Sequence, residues 1–145
     1  MGAQENLALV KRLYSEFLSG NDLDSADQFY ASNFKLLDPA VPSCTNLNAV
    51  KQLEKTYNIA FPNKTLKIDD IWAMEGDRVL VRWTCQATQK GVLQDIPASN
   101  KNVKFSGLSL YRISNDKITE IVQFWDRLGL LEQIGAIQTL QALHR

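Results

Sequence analysis

Asp126 is the side chain in this sequence best placed to do chemistry. It follows the apolar run Lys117–Trp125 (KITEIVQFW) and directly precedes RLGLLEQIG. Counting by twos along an extended strand puts Ile118, Glu120, Val122, Phe124 and Asp126 on one face. A carboxylate set against Val122 and Phe124 has its charged form disfavoured. That suits it to take a proton from the carbon beside a carbonyl and return it to the new alkoxide. The same residue opens a short helix, where Asp is a common N-cap, so a structural role stands beside the catalytic one. Arg82 comes second. A guanidinium on a central strand needs a partner: Asp126 or Glu120, a ligand carbonyl or carboxylate, or an ion pair on a solvent or dimer face. Gln89 and Gln123 can orient a ligand but are poor acids and bases. Trp72, Trp83 and Trp125 read first as core or interface. Tyr14, Tyr30 and Tyr57 lie on helix stripes, with hydroxyls able to reach a pocket. Asp38, before Pro39, reads as a turn residue.

Other chemistries lack their residues. His144 is the only histidine and stands one residue from the end, and the two cysteines, Cys44 and Cys85, are far apart. These cannot close a structural zinc site or build a Ser-His-Asp or Cys-His pair. Without a secretion signal the cysteines read as reduced thiols. Met1–Asn6 has no cationic start followed by an apolar stretch, so the expected compartment is the cytoplasm. No apolar run is long enough to span a bilayer. Sixteen Lys and Arg balance sixteen Asp and Glu, which leaves no electrostatic footprint for nucleic acid.

The elements that must position these residues follow from periodicity. The 145 residues, 45% hydrophobic and 22% charged, fit one globular domain, with a core over about 6–137 and a tail, 138–145, that extends the last helix or frays. Leu7, Val10, Tyr14 and Phe17 predict an amphipathic helix over Glu5–Ser19. A short helix over Leu23–Tyr30 follows, capped by Asn21 or Asp22, then an extended piece at Phe34–Asp38 that Pro39 and Pro42 end. Leu47, Val50, Leu53, Tyr57 and Phe61 predict a helix that Pro62-Asn63 stops. Strands are expected over Thr65–Met74, Arg78–Thr88, Val103–Ile113 and Lys117–Trp125. Turns fall at Glu75-Gly76-Asp77 and Ser114-Asn115-Asp116, and a polar loop covers 91–102. A closing helix runs over Leu128–Ile134, to Gly135. Helices followed by a strand meander predict an α+β fold, a curved, mostly antiparallel sheet wrapping a helix around a cavity.

Several segments, in this order, resemble the SnoaL-like polyketide and ester cyclases of the nuclear-transport-factor-2-like, cone-shaped α+β superfamily. They are VKRLYSEFLSGNDLDSADQFYASNF, Asp38-Pro39, AFPN at 60–63, VRWTCQATQKG at 81–91, Ile96-Pro97 and YRISNDKITEIVQFWDRLGLLEQIG at 111–135. The resemblance implies a homodimer with a deep pocket for flat, largely apolar ligands. It implies intramolecular aldol closure without metal or cofactor, with Asp126 at the position of the general acid/base. Leu37 and Gln89 stand where family histidines stand, and Val122 where a tryptophan does.

Two functions follow. One is a cofactor-free cyclase or isomerase acting through Asp126, with Arg82, Gln89, Phe124, Val122, Leu37, Tyr14, Tyr57 and Trp72 lining the ligand site. The other is a non-catalytic module that binds an apolar small molecule, or a dimeric scaffold of the same fold. The expected ligand is uncharged or mono-anionic, with no nucleic acid and no membrane as partner. A homodimer is expected through the sheet face that carries Val79, Val81 and Trp83 or their neighbours on adjacent strands.

Overall fold

The computed structural model describes residues 2–20 and 22–137. Asn21 and the tail from Gln138, with His144, lie outside the described residues. Helix α1 spans Ala3–Arg12 and continues as π-helical turns over Leu13–Leu18. A 3₁₀ turn over Leu23–Gln28 leads into β1 (Tyr30–Leu37). Helix α2 (Leu47–Ala60) is followed by β2 (Thr65–Met74), β3 (Arg78–Thr88), β4 (Asn102–Ser114), β5 (Lys117–Trp125) and α3 (Arg127–Gln133).

The strands form one curved sheet in the order β1-β5-β4-β3-β2. Three antiparallel hairpin-type pairings run from β2 to β5, and β1 joins the far edge parallel to β5. Asp77 at one hairpin tip and Asn115-Asp116 at the other take positive φ, the backbone that tight hairpin turns demand and that short polar residues tolerate. The inner face is apolar: Val79, Val81, Trp83 and Cys85 of β3 and Tyr111 and Ile113 of β4 are buried against Leu9, Val10, Leu13 and Phe17 of the first helix. Val79, Val81 and Trp83 thus pack the core and are not available to a dimer face.

Local rules account for most boundaries. Asn46 Oδ1 accepts from Ala49 N–H at 2.9 Å and starts α2, while Pro62 cannot continue it. Asp22 caps the 3₁₀ turn, accepting from Asp24 N–H at 3.1 Å. The first helix departs from the expected continuous α-helix. Ser19 N–H bonds to Tyr14 O, five residues back, at 3.0 Å, and the widened coil carries Tyr14 and Leu18. The expected helix end at Tyr30 also shifts, because Tyr30 already pairs with Ile118 of β5. No helix among the described residues is long and apolar enough to cross a membrane.

Candidate functional site

Between α2, the π-helical turns and the inner face of the sheet lies a cavity of about 120 Å³. Helix α2 contributes Val50, Leu53, Glu54 and Tyr57, and the π-helical turns contribute Tyr14 and Leu18. Tyr30, Phe34, Leu36 and Asp38 come from β1 and its end, and Lys64 and Leu66 from the start of β2. The sheet floor is Trp83 and Cys85 of β3, Phe105 and Tyr111 of β4, and Ile121, Gln123 and Trp125 of β5. Alternation puts these residues inside: odd-numbered positions of β3 and β4 face the core, as do Ile121, Gln123 and Trp125 of β5.

A chain of hydrogen bonds crosses this apolar wall. Trp83 Nε1–H donates to Ser109 Oγ at 2.9 Å, and Ser109 Oγ–H donates to Gln123 Oε1 at 2.8 Å. Gln123 Nε2–H then donates to Asp38 Oδ2 at 2.9 Å, and Trp125 Nε1–H donates to the same oxygen at 2.9 Å. Asp38 Oδ1 accepts from Ala40 N–H at 2.9 Å. Asp38 is therefore more than the turn residue its place before Pro39 suggested. It closes the turn with one oxygen and presents the other to the cavity wall. Asp38 is 5% exposed, and its carboxylate has no ion-pair partner among the described residues. A buried carboxylate satisfied by neutral donors alone is an expensive feature for a structural role. Three donors occupy three of roughly four acceptor positions, two of them on the oxygen at the cavity wall.

Tyr14 and Tyr111 meet hydroxyl to hydroxyl at 2.8 Å beside Ser109. Burial holds both phenols well above their ordinary range, as it does Tyr30. They act as neutral hydrogen-bond donors. One proton serves the mutual bond, which leaves one for Ser109 or a ligand oxygen. Burial pushes the Cys85 thiol up to about 12, against an opposing effect of Lys64. A neutral thiol is a poor nucleophile, so Cys85 is wall, not reagent. At the other edge of the sheet Lys64 Nζ donates to Glu54 Oε2 at 2.6 Å and to Leu18 O at 2.9 Å.

The residues anticipated from sequence divide. Tyr14 and Tyr57 line the cavity, and Arg82, Gln89, Phe124, Val122, Leu37, Trp72 and Asp126 do not. Asp126 is exposed and caps α3, its Oδ1 accepting from Gly129 N–H at 2.8 Å. The strand alternation that placed Ile118 on its face is broken: Arg112 pairs with Glu120 but Ile113 with Ile118. This extra residue turns Ile118 inward and leaves Val122 and the 60%-exposed Phe124 outside. Leu37 and Trp72 are exposed on that outer face. Arg82 is there too, in the surface ion pair that was one of its expected roles, with Asp70 at 2.6 Å as the partner and neither Asp126 nor Glu120. Gln89 is fully buried, but its amide is spent on the loop backbone: Nε2–H donates to Pro97 O at 3.1 Å and Oε1 accepts from Ser99 N–H at 3.1 Å. Asp38, Ser109, Tyr111, Glu54 and Lys64 were missed as site residues. Glu54 carried a signal, because it falls four residues after Val50 and three before Tyr57, inside the apolar stripe of α2.

The sequence profile of the SnoaL-like polyketide cyclases matches residues 8–134. The chain belongs to this family. Solved structures agree on the fold. A SnoaL-like polyketide cyclase candidate from Jannaschia sp. CCS1 is 20% identical with a TM-score of 0.82, over 92% of this chain and 94% of that one. A polyketide cyclase candidate from Acidithiobacillus ferrooxidans is 25% identical, TM-score 0.80, over 90% and 94%. AclR of Streptomyces galilaeus, named as a candidate hydroxylase, is 20% identical, TM-score 0.85, over 99% and 90%. No curated protein matches the chain.

Proposed function

We propose that this SnoaL-like protein is a cofactor-free proton-transfer enzyme, a cyclase or isomerase of small carbonyl compounds, with Asp38 as its general acid/base. The observation that carries this reading is the Asp38 carboxylate, buried on the wall of an apolar cavity and held by Gln123 and Trp125 without a cation. In the proposed step one Asp38 oxygen takes a proton from the carbon beside a ligand carbonyl. The C–H pair moves into the enolate, whose oxygen accepts from the Tyr14–Tyr111 pair. The enolate carbon then attacks a second carbonyl of the same molecule, and Asp38 returns its proton to the new alkoxide. Reprotonation at a different carbon gives isomerisation instead. Both routes end with the carboxylate restored.

Cavity size supports a small substrate. The cavity volume of about 120 Å³ is slightly less than that of an engineered apolar cavity of about 150 Å³ that binds benzene. The part of the ligand that this volume holds is therefore one ring or a short chain. Asp126 serves as a cap in this reading, and the family neighbours named for cyclisation and hydroxylation show why the site, not the fold, must decide.

The same reading makes the outer sheet face a homodimer interface. Register aligns Trp72, Leu80, Leu110, Val122 and Leu37 in one row across all five strands, with Leu108 opposite Phe124 beside it. The test of function is Asp38→Asn on a ketone first found by thermal shift. Turnover should fall by about 10²–10⁴-fold while binding persists. Unchanged turnover would move the chemistry elsewhere, and binding without turnover in the parent would favour a carrier or sensor.

A further inference from the structure

The Glu54–Lys64 pair lines the cavity but has no part in the proton transfer. Lys64 is 8% exposed and follows α2 at the β2 edge of the sheet, whereas Asp38 ends β1 at the opposite edge. Burying an ammonium and a carboxylate together is costly, and a well-packed apolar pair of the same volume often does as well. Stability alone does not explain the pair. Nζ carries three protons. Two go to Glu54 Oε2 and Leu18 O, and the third has no partner among the described residues. Lys64 lines the cavity together with Cys85 of its floor, whose thiol feels the Lys64 charge.

We infer that Lys64, held by Glu54 and the Leu18 carbonyl, is a second anchor of the cavity that takes a neutral oxygen, a ketone or hydroxyl, at the end of the ligand away from Asp38. The inference rests on the proposed carbonyl chemistry for the other end of the ligand. It makes the substrate class a ring-sized molecule with two uncharged oxygen substituents. Charge decides against an acid there: the lining holds two carboxylates, Asp38 and Glu54, and one ammonium. A ligand carboxylate would add a third negative charge.

The probes are the para diketone of cyclohexane and its isostere with one carbonyl replaced by an exocyclic methylene. Their dissociation constants are measured by calorimetry on the parent and on the double variant Glu54→Leu/Lys64→Met, which removes both charges together. A hydrogen bond from a charged donor corresponds to about a 10–100-fold preference. The parent should favour the diketone over the isostere by that factor more than the double variant does. An equal preference in both proteins would overturn the assignment. A second measurement needs no variant. Cyclohexane carboxylate should bind the parent more weakly than the diketone, and equal or tighter binding would contradict a neutral-oxygen site. Asp38→Asn should retain the Lys64-dependent preference, so loss of turnover in that variant and loss of the preference in the double variant report separately.

Discussion

Asp38 and Asp126 show how two carboxylates of one chain take different work from their surroundings. Asp126 stands in solvent with its oxygen on a helix N–H. Asn caps as well as Asp, so Asp126→Asn should leave thermal stability unchanged, while Asp126→Ala should cost about 1 kcal/mol in urea unfolding. Asp38→Asn differs, because its amide can serve Gln123 and Trp125 or Ala40 N–H but not all three. A loss of about 1 kcal/mol is expected. The buried phenols and thiol give a further prediction. Tyr14, Tyr30 and Tyr111 sit above their ordinary 10.0 and Cys85 rises from 9.0 to about 12, chiefly through burial. The folded state therefore holds protons that the unfolded chain releases from about pH 9 upward. Stability from these groups is complete below that point and is lost as pH rises through the folded values. The urea midpoint should fall across that window, and Tyr14→Phe should make the fall shallower. A midpoint level past the ordinary tyrosine value would contradict the burial of this pair.

Elements determine which residues the sequence makes visible. The strand alternation of Val79, Val81, Trp83 and Cys85 is legible because its period is uninterrupted, and it correctly separates the two faces of β3. The orientation of β5 is not legible, because one extra residue between the pairs Arg112–Glu120 and Ile113–Ile118 reverses which parity faces inward. Asp38 is hidden for a related reason. Its inward direction depends on β1 pairing in parallel with β5, a contact across more than eighty residues that local periodicity does not encode. Lys64 reads as a polar residue after Pro62-Asn63 until α2 brings Glu54 beside it. Gly107 of β4 tests how the elements hold the polar chain. A Cβ there would lie 2.5 Å from Trp83 Cζ2 and 2.7 Å from Trp125 Cβ. Those indoles donate to Ser109 and Asp38. Gly107→Ala should destabilise by about 1–3 kcal/mol and weaken ketone binding at temperatures where the variant remains folded. Unaltered binding and stability would show that the tryptophans can shift freely.

At the scale of the whole molecule, helices cover the inner face of the sheet, and the outer face carries an apolar row that they leave uncovered. The outer face exposes Leu37, Trp72, Leu108 and Phe124, an area of the kind that a partner usually covers. Sedimentation equilibrium should give a dimer mass for the parent and a monomer mass for Phe124→Glu with Leu108→Glu. A parent mass that stays monomeric as concentration rises would remove the dimer. The α+β order, the strand meander and the hairpin turns were legible in the sequence because each rests on local pattern. The cavity was legible only as an expectation, since its polar residues come from separate elements along the whole chain. Its chemistry can be measured without knowing the natural substrate. Deuterium uptake at the carbon beside the carbonyl of a bound cyclic ketone, followed by NMR in heavy water, reports proton transfer directly. The parent should accelerate it, Asp38→Asn should lose about 10²–10⁴-fold, and Asp126→Asn should match the parent. Uptake that survives in Asp38→Asn and disappears in Asp126→Asn would contradict the account.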